Sequence, residues 1–216
     1  MKLYGYWRSS AAYRVRIALN LKQLTAEHIS VHLVKNGGEQ HSKDFEKLNP
    51  QHLVPALVDN NNQGEFCLTQ SLAIIEYLEE KYPQQAILPA NIEDKAIVRA
   101  MAQSIACEIH PLDNLRVLQY LVNEMGVDES KKMDWYHHWI HLGFNALESQ
   151  LSLHAGQYCF GDQVTLADIC LVPQVYNAQR FNVDLQAYPH IMRVWQNCNK
   201  LDDFIQAAPE QQDDAC

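Results

Sequence analysis

Strand signals in this sequence stop at Pro83, and that break limits the fold to a small mixed unit followed by a helical one. Before it, segment types alternate. KLYGYW (2–7) is a short aromatic-rich run with the pattern of a strand. From Ala11 to Lys22, the residues Val15, Ala18, Leu19 and Lys22 recur at helical spacing. EHISVHLV (27–34) alternates polar and apolar, which predicts a second strand. Strand, helix and strand in that order predict a parallel pair through a right-handed crossover. A looser stretch with Gly37 and Gly38 leads to a short helix near 42–48. LVPALVD (53–59) and EFCL (65–68) flank NNNQG, a hairpin pattern. TQSLAIIEYLEEKY (69–82) is then a strongly amphipathic helix, so the order is β-α-β-α-β-β-α.

PQQAILPAN, with two prolines amid polar filler, reads as a linker. Beyond it the periodicity predicts helices only, over 92–124, 130–154, 165–179, 188–198 and 200–207. The expected division is a first domain at 1–83, a linker at 84–91 and a helical domain at 92–216. The last ten residues are polar and are expected to fray. VTLADI (164–169) sets Thr165 at an N-cap with Asp168 three residues on, an acidic variant of the capping box. That is a structural signal worth about 1 kcal/mol, without chemistry.

The 216 residues suffice for one large or two small cores. A net charge of −9 disfavours nucleic acid and anionic membrane, so any anion site must be a local cluster of cations and dipoles. No apolar run has the form of a signal peptide or approaches the roughly 20 residues of a membrane span. Cys67, Cys107, Cys159, Cys170, Cys198 and Cys216 are scattered and form no C-x-x-C pair. They read as reduced thiols of a cytoplasmic protein.

Two helix starts could hold anions. WRSSAAYR (7–14) puts Arg8, Ser9 and Ser10 where a strand gives way to a helix, the end of an open sheet at which ligands bind. Gln70 and Ser71 open a second helix. Each start is either a plain cap or a site for one anionic end of a ligand, held by free N–H groups and the positive dipole end. Val54-Pro55 precedes a strand; trans is the default, and a cis bond would leave the Val54 backbone to pair with a peptide-like ligand. His137 and His141 share a helix face, but no H-E-x-x-H spacing makes them a metal site. His110, before Pro111, reads alone as a loop or kink residue. No G-x-S-x-G, P-loop or G-x-G-x-x-G occurs, so nothing points to hydrolase, nucleotide or dinucleotide chemistry.

Taken in order, these pieces resemble the zeta class of the glutathione transferases, whose members include maleylacetoacetate isomerases. WRSSAAYRVRIALNLK is similar to the class signature and LNPQHLVPALVD to its proline loop. LTQSLAIIEYLEEKYP is similar to its carboxylate-binding helix, and GDQVTLADICLVPQVYNAQRFNVDLQAYP to its capping-box helix and the segment after that helix. The resemblance covers essentially the whole chain. It implies an α/β thioredoxin-like N-terminal domain plus an all-α C-terminal domain, a cis Pro55, a homodimer and glutathione as cofactor, with no metal. Implied glutathione contacts are Ser9, Ser10, Ala11, Gln40, Val54, Pro55, Gln70 and Ser71, with His110, Asn114 and Arg116 from the helical domain. Ser10 would hold the sulfur, the Val54 backbone the cysteinyl unit, and Gln70 and Ser71 the γ-glutamyl carboxylate. Arg180, in NAQRF, matches a position for a carboxylate of a small dicarboxylate substrate; Arg8, Ser9 and Ser10 complete the implied catalytic set. The implied activity is glutathione-dependent cis–trans isomerisation of maleylacetoacetate to fumarylacetoacetate, in tyrosine and phenylalanine breakdown. Two departures stand out. Ala11 occupies a position that is usually cysteine, and His110 one that is glutamine in many members. His110, with Arg8 and Arg116, resembles the maleylpyruvate isomerases of gentisate breakdown, which gives an alternative substrate. Transfer of glutathione to small electrophiles such as halo-acids is a further alternative.

Overall fold

In the computed structural model, which describes residues 1–215, β1 (Lys2–Gly5) is the shared strand of the first unit. Helix α1 (Ser10–Leu21) leads from it to β2 (Glu27–Ser30), and α2 (Lys43–Leu48) comes next. The hairpin β3 (Ala56–Asn61) and β4 (Gly64–Thr69) and the helix α3 (Ser71–Lys81) complete the series. The sheet order is β2-β1-β3-β4. β1 and β2 are parallel, with Lys2 opposite Glu27, as the intervening helix requires. β1 and β3 are antiparallel, with Leu3 opposite Leu57. The hairpin turns through Asn62 and Gln63, and the Asn61 side chain accepts the Gln63 N–H at 2.8 Å. Leu3, Ile17, Leu57, Ile74, Ile75 and Leu78 are buried and form the centre of the core.

The second strand is half as long as its alternation predicts, because pairing ends at Ser30. His32 turns the chain. Its Nδ1 accepts from Val34 N at 3.2 Å and Lys35 N at 2.9 Å, and its own N–H donates to Glu39 Oε2 at 2.7 Å.

The helical unit contains α4 (Ile92–Gln103), α5 (Leu115–Asn123), α6 (Glu129–His154), α7 (Leu166–Arg180) and α8 (Pro189–Cys198). The helix expected over 92–124 is broken. A π-helical turn, Ser104–Ile109, widens it, and Pro111 has no N–H with which to resume it. Asn114 caps the new start by accepting Arg116 N at 3.2 Å. Gly143 on α6 lets Ile109 seat against the helix; a Cβ there would lie 2.3 Å from the Ile109 side chain. α7 is the central helix, buried continuously from Leu166 to Val175. Among the described residues, no helix is long and apolar enough to cross a membrane.

Residues 87–199 form this helical unit, whereas the chain from Lys200 onward joins residues 1–86 in the first. The expected division put 200–216 with the helices. Instead α9 (Asp202–Ala207) packs on α1: Asn20 Nδ2 donates to Asp203 O at 2.9 Å, and Phe204 is fully buried. The end expected to fray is tied down as well. Asp214 Oδ2 accepts from Ser30 Oγ at 2.7 Å and from Trp7 N at 3.3 Å. Cys216, one of the six cysteines, lies outside the described residues.

Candidate active site

Two helix starts in the first unit are the natural centre of a site. Ser9 is the N-cap of α1 and its Oγ accepts Ala12 N at 3.2 Å, so the plain capping reading of this serine holds. Ser10 is the first helical residue and is buried; Ala11 is half-buried beside it. Neither α1 nor α3 carries an acid in its first turn, in contrast to α4 and α6, so neither positive end is offset from within its helix. Arg8 lies just before, its guanidinium 4.1 Å from the centre of the Trp7 ring.

Gln70 precedes α3 with φ +70° and ψ 115°, a conformation that costs a residue with a Cβ about 1–3 kcal/mol. Its side chain makes no cap. Nε2 donates instead to Gln51 Oε1 at 2.8 Å. From Gln51 a relay runs to the proline loop: Gln51 N donates to Asn49 Oδ1 at 3.0 Å, and Asn49 Nδ2 to Leu53 O at 2.7 Å. The next bond, Val54-Pro55, is cis, as the family resemblance implies and the default does not. His52 Nδ1 donates to Gln40 O at 2.9 Å, which brings Gln40 onto the same loop. Val54 in turn packs with Trp7, beside Arg8. Gln40, Val54, Pro55 and Gln70 are thus joined through the proline loop, and Ser71 follows Gln70 directly.

The two helix starts are also tied to each other, by a residue whose type and position suggest only a surface role. Arg14 is only 2% exposed, and its Nη1 donates to Ser71 Oγ at 3.2 Å. Arg16, 4% exposed, donates from Nε to Ala207 O at 2.9 Å and from Nη2 to Trp7 O at 3.0 Å. The available signal was context: both arginines interrupt a helix that is otherwise almost wholly apolar from Ala11 to Leu19.

In the helical unit, His110 ends the π-turn, Asn114 caps α5, and Arg116 is exposed in the first turn after that cap. Arg180 ends α7, exposed, with its guanidinium 4.9 Å from the centre of the Phe181 ring. His137 and His141 have protein partners: His137 Nε2 donates to Phe181 O at 2.9 Å, and His141 Nδ1 lies 2.8 Å from the Tyr188 hydroxyl.

Residues 3–86 match the N-terminal domain of glutathione S-transferases, and residues 140–202 their C-terminal domain. A solved relative, the holo structure of a maleylpyruvate isomerase described as a bacterial zeta-class glutathione S-transferase, superposes with a TM-score of 0.94 at 48% identity, over the full length of both chains. The chain belongs to the zeta class of the glutathione S-transferases. A probable maleylacetoacetate isomerase of Vibrio cholerae is 54% identical over 214 residues, covering 99% of this chain and 98% of that one. The maleylacetoacetate isomerase of Anaeromyxobacter dehalogenans, solved with dicarboxyethyl glutathione and citrate in its active site, superposes with a TM-score of 0.89 at 38% identity, over 100% of this chain and 97% of that one. The first unit of this transferase is thus the thioredoxin-like domain, and the second is the helical domain of the family fold.

Proposed function

We propose that this zeta-class chain is a glutathione-dependent cis–trans isomerase of maleylacetoacetate, forming fumarylacetoacetate in tyrosine and phenylalanine breakdown. The observation that carries the reading is the pair of uncompensated helix starts joined by the buried Arg14–Ser71 bond. A bound tripeptide with anionic groups suits that pair. Its residues also include a buried acceptor, Gln40 Oε1, that has no hydrogen-bond partner among the described residues.

Glutathione, when bound, supplies the thiolate that adds to the cis double bond and departs once the carbon–carbon axis has turned. The task of the protein is to favour the thiolate. Lowering a thiol from a pKa near ~8.5 by two units requires about 2.7 kcal/mol. A hydrogen bond to a charged group contributes roughly 1.5–3 kcal/mol. A helix N-terminus adds roughly 0.3–2 kcal/mol. Ser10, at the first position of α1, combines both, so no histidine base is needed. Gln70 and Ser71 hold the γ-glutamyl carboxylate at the α3 start, and the Val54 backbone pairs with the cysteinyl unit. His110, Asn114 and Arg116 are the contacts of the helical domain. Arg180 takes a substrate carboxylate, and Arg8 offers a second fixed cation near the thiolate; bidentate guanidinium contacts suit a dianion. A homodimer in the cytoplasm accords with the free thiols and with the family's habit.

His110 together with Arg8 and Arg116 favours maleylpyruvate as a second reading. A spectrophotometric assay of both substrates, with and without glutathione, on the wild type and on Ser10→Ala and Arg180→Ala, separates them. Glutathione-dependent loss of the cis substrate without net glutathione consumption, weakened in both variants, is the expected result. Net consumption would instead indicate a transferase acting on electrophiles.

A further inference from the structure

Three consecutive residues of α6 hold two distant segments together. Trp135 Nε1 donates to Leu112 O at 2.9 Å, which clamps the segment before α5 onto α6. His137 Nε2 donates to Phe181 O, and the Tyr136 and Phe181 rings lie 4.3 Å apart, which clamps the end of α7 onto the same stretch. Asp113 follows Leu112 and Arg180 precedes Phe181, so both clamps bring a titratable side chain toward Tyr136. The charges of both act on its phenol, Asp113 raising and Arg180 lowering its pKa against a larger rise from burial.

These groups are not spent on each other. Tyr136 is 1% exposed, and its hydroxyl and both Asp113 carboxyl oxygens are buried with no hydrogen-bond partner among the described residues. A buried polar atom left unpaired costs about 1–3 kcal/mol, and three of them fall on Asp113 and Tyr136. A ligand oxygen is a partner of the right chemistry for such a cluster.

We infer that Asp113 and Tyr136 are paired hydrogen-bond donors for the keto oxygen of the substrate, beside the carboxylate held by Arg180. The inference rests on the isomerase reading. When sulfur bonds to the carbon β to the ketone, the π electron pair moves toward the carbonyl and the oxygen becomes an enolate. Rotation then takes place about the resulting single bond. The pair returns, the carbon–sulfur bond breaks and the trans alkene forms. Donors at that oxygen matter most when it is charged, so they lower the barrier more than they tighten substrate binding. Asp113 can donate because burial pushes its carboxyl up to about 8, which keeps the proton on at neutral pH. A neutral Asp113 also leaves Arg180 to the substrate.

Two measurements test this. In the first, calorimetry without glutathione compares 4-oxoheptanedioate with heptanedioate, dianions of equal length with and without a keto oxygen. The wild type binds the keto compound more tightly; Tyr136→Phe and Asp113→Leu lose that preference and bind heptanedioate as before, and Asp113→Asn, with an amide donor, keeps part of it. In the second, with glutathione and maleylacetoacetate, Tyr136→Phe lowers kcat about 10²-fold, the scale of removing one oxyanion donor, and changes KM little. Thermal melts confirm folding; should Asp113→Leu fail to fold, Tyr136→Phe and Asp113→Asn decide the matter. A wild type that isomerises while the variants match it in preference and kcat overturns the donor pair and leaves the isomerase intact. A wild type without isomerase activity overturns both.

Discussion

Asp168, at the start of α7, accepts from Cys159 N and Thr165 N at 2.8 Å and from Thr165 Oγ1 at 2.9 Å, whereas the two carboxyl oxygens of Asp113, in the approach to α5, are buried with no hydrogen-bond partner among the described residues. Burial pushes both carboxyls up, but at Asp168 the donors pull back toward the charged form. One is the knot of a capping box that also ties down the loop at Cys159; the other is raised by burial and has no donor bonded to it among the described residues. The contrast separates a carboxyl that holds the fold from one that the fold leaves unpaired. Two acids in one helical domain can therefore have opposite roles without differing in residue type.

The largest expected effect lies on the structural side. Asp168→Ala leaves two buried N–H groups unpaired, and at about 1–3 kcal/mol each the loss is about 2–6 kcal/mol. Urea midpoints would show it, and a loss below about 1 kcal/mol would erase the distinction between the two carboxyls.

The segment before α5 is held by close packing as well as by the Trp135–Leu112 hydrogen bond. Gly143→Ala drives a methyl into Ile109, at a cost of about 1–3 kcal/mol in thermal or urea unfolding. An unchanged midpoint would mean that Ile109 has room to move.

A further effect depends on pH. Asp113 retains its proton in the folded state up to about 8, while the unfolded chain releases it near the ordinary carboxylate value of about 4. Between those values the folded state binds more protons, so this group makes the wild type less stable as pH rises. Asp113→Asn lacks that slope. Its stability relative to the wild type is expected to rise from pH 4 to pH 8 and then level off. A relative stability that stays flat or falls would show Asp113 to be an ordinary, solvated carboxylate. Asp168→Asn offers no such clean comparison, because the amide would face the donors of Cys159 and Thr165.

Much of this was legible in the residues. Ser9, Thr165 and Asp168 announce helix starts by local bonds that their own neighbours satisfy, and NNNQG announces a hairpin for the same reason. The signals that failed were answered from far along the chain or by polar side chains. Alternation ran on past Ser30 because nothing in hydropathy reveals that His32 and Glu39 take up the N–H groups of the turn. Arg14 and Arg16 are buried because Ser71 and Ala207 accept from them, 57 and 191 residues away. Asp113 carries no local mark at all. Its burial comes from Trp135 gripping Leu112, and its meaning from Tyr136, neither of which is near it in sequence.

The return of α9 to the first domain has a consequence for how the protein is made. The thioredoxin-like domain is encoded in two pieces, with the 113 residues of the helical domain between them. On the ribosome, Arg16 and Asn20 emerge early, yet the carbonyls of Ala207 and Asp203 that they bond arrive only after the helical domain has been made. Domains generally fold in the order in which they emerge. Here the helical domain, contiguous in the chain, can finish before the domain that precedes it, which waits for its last helix.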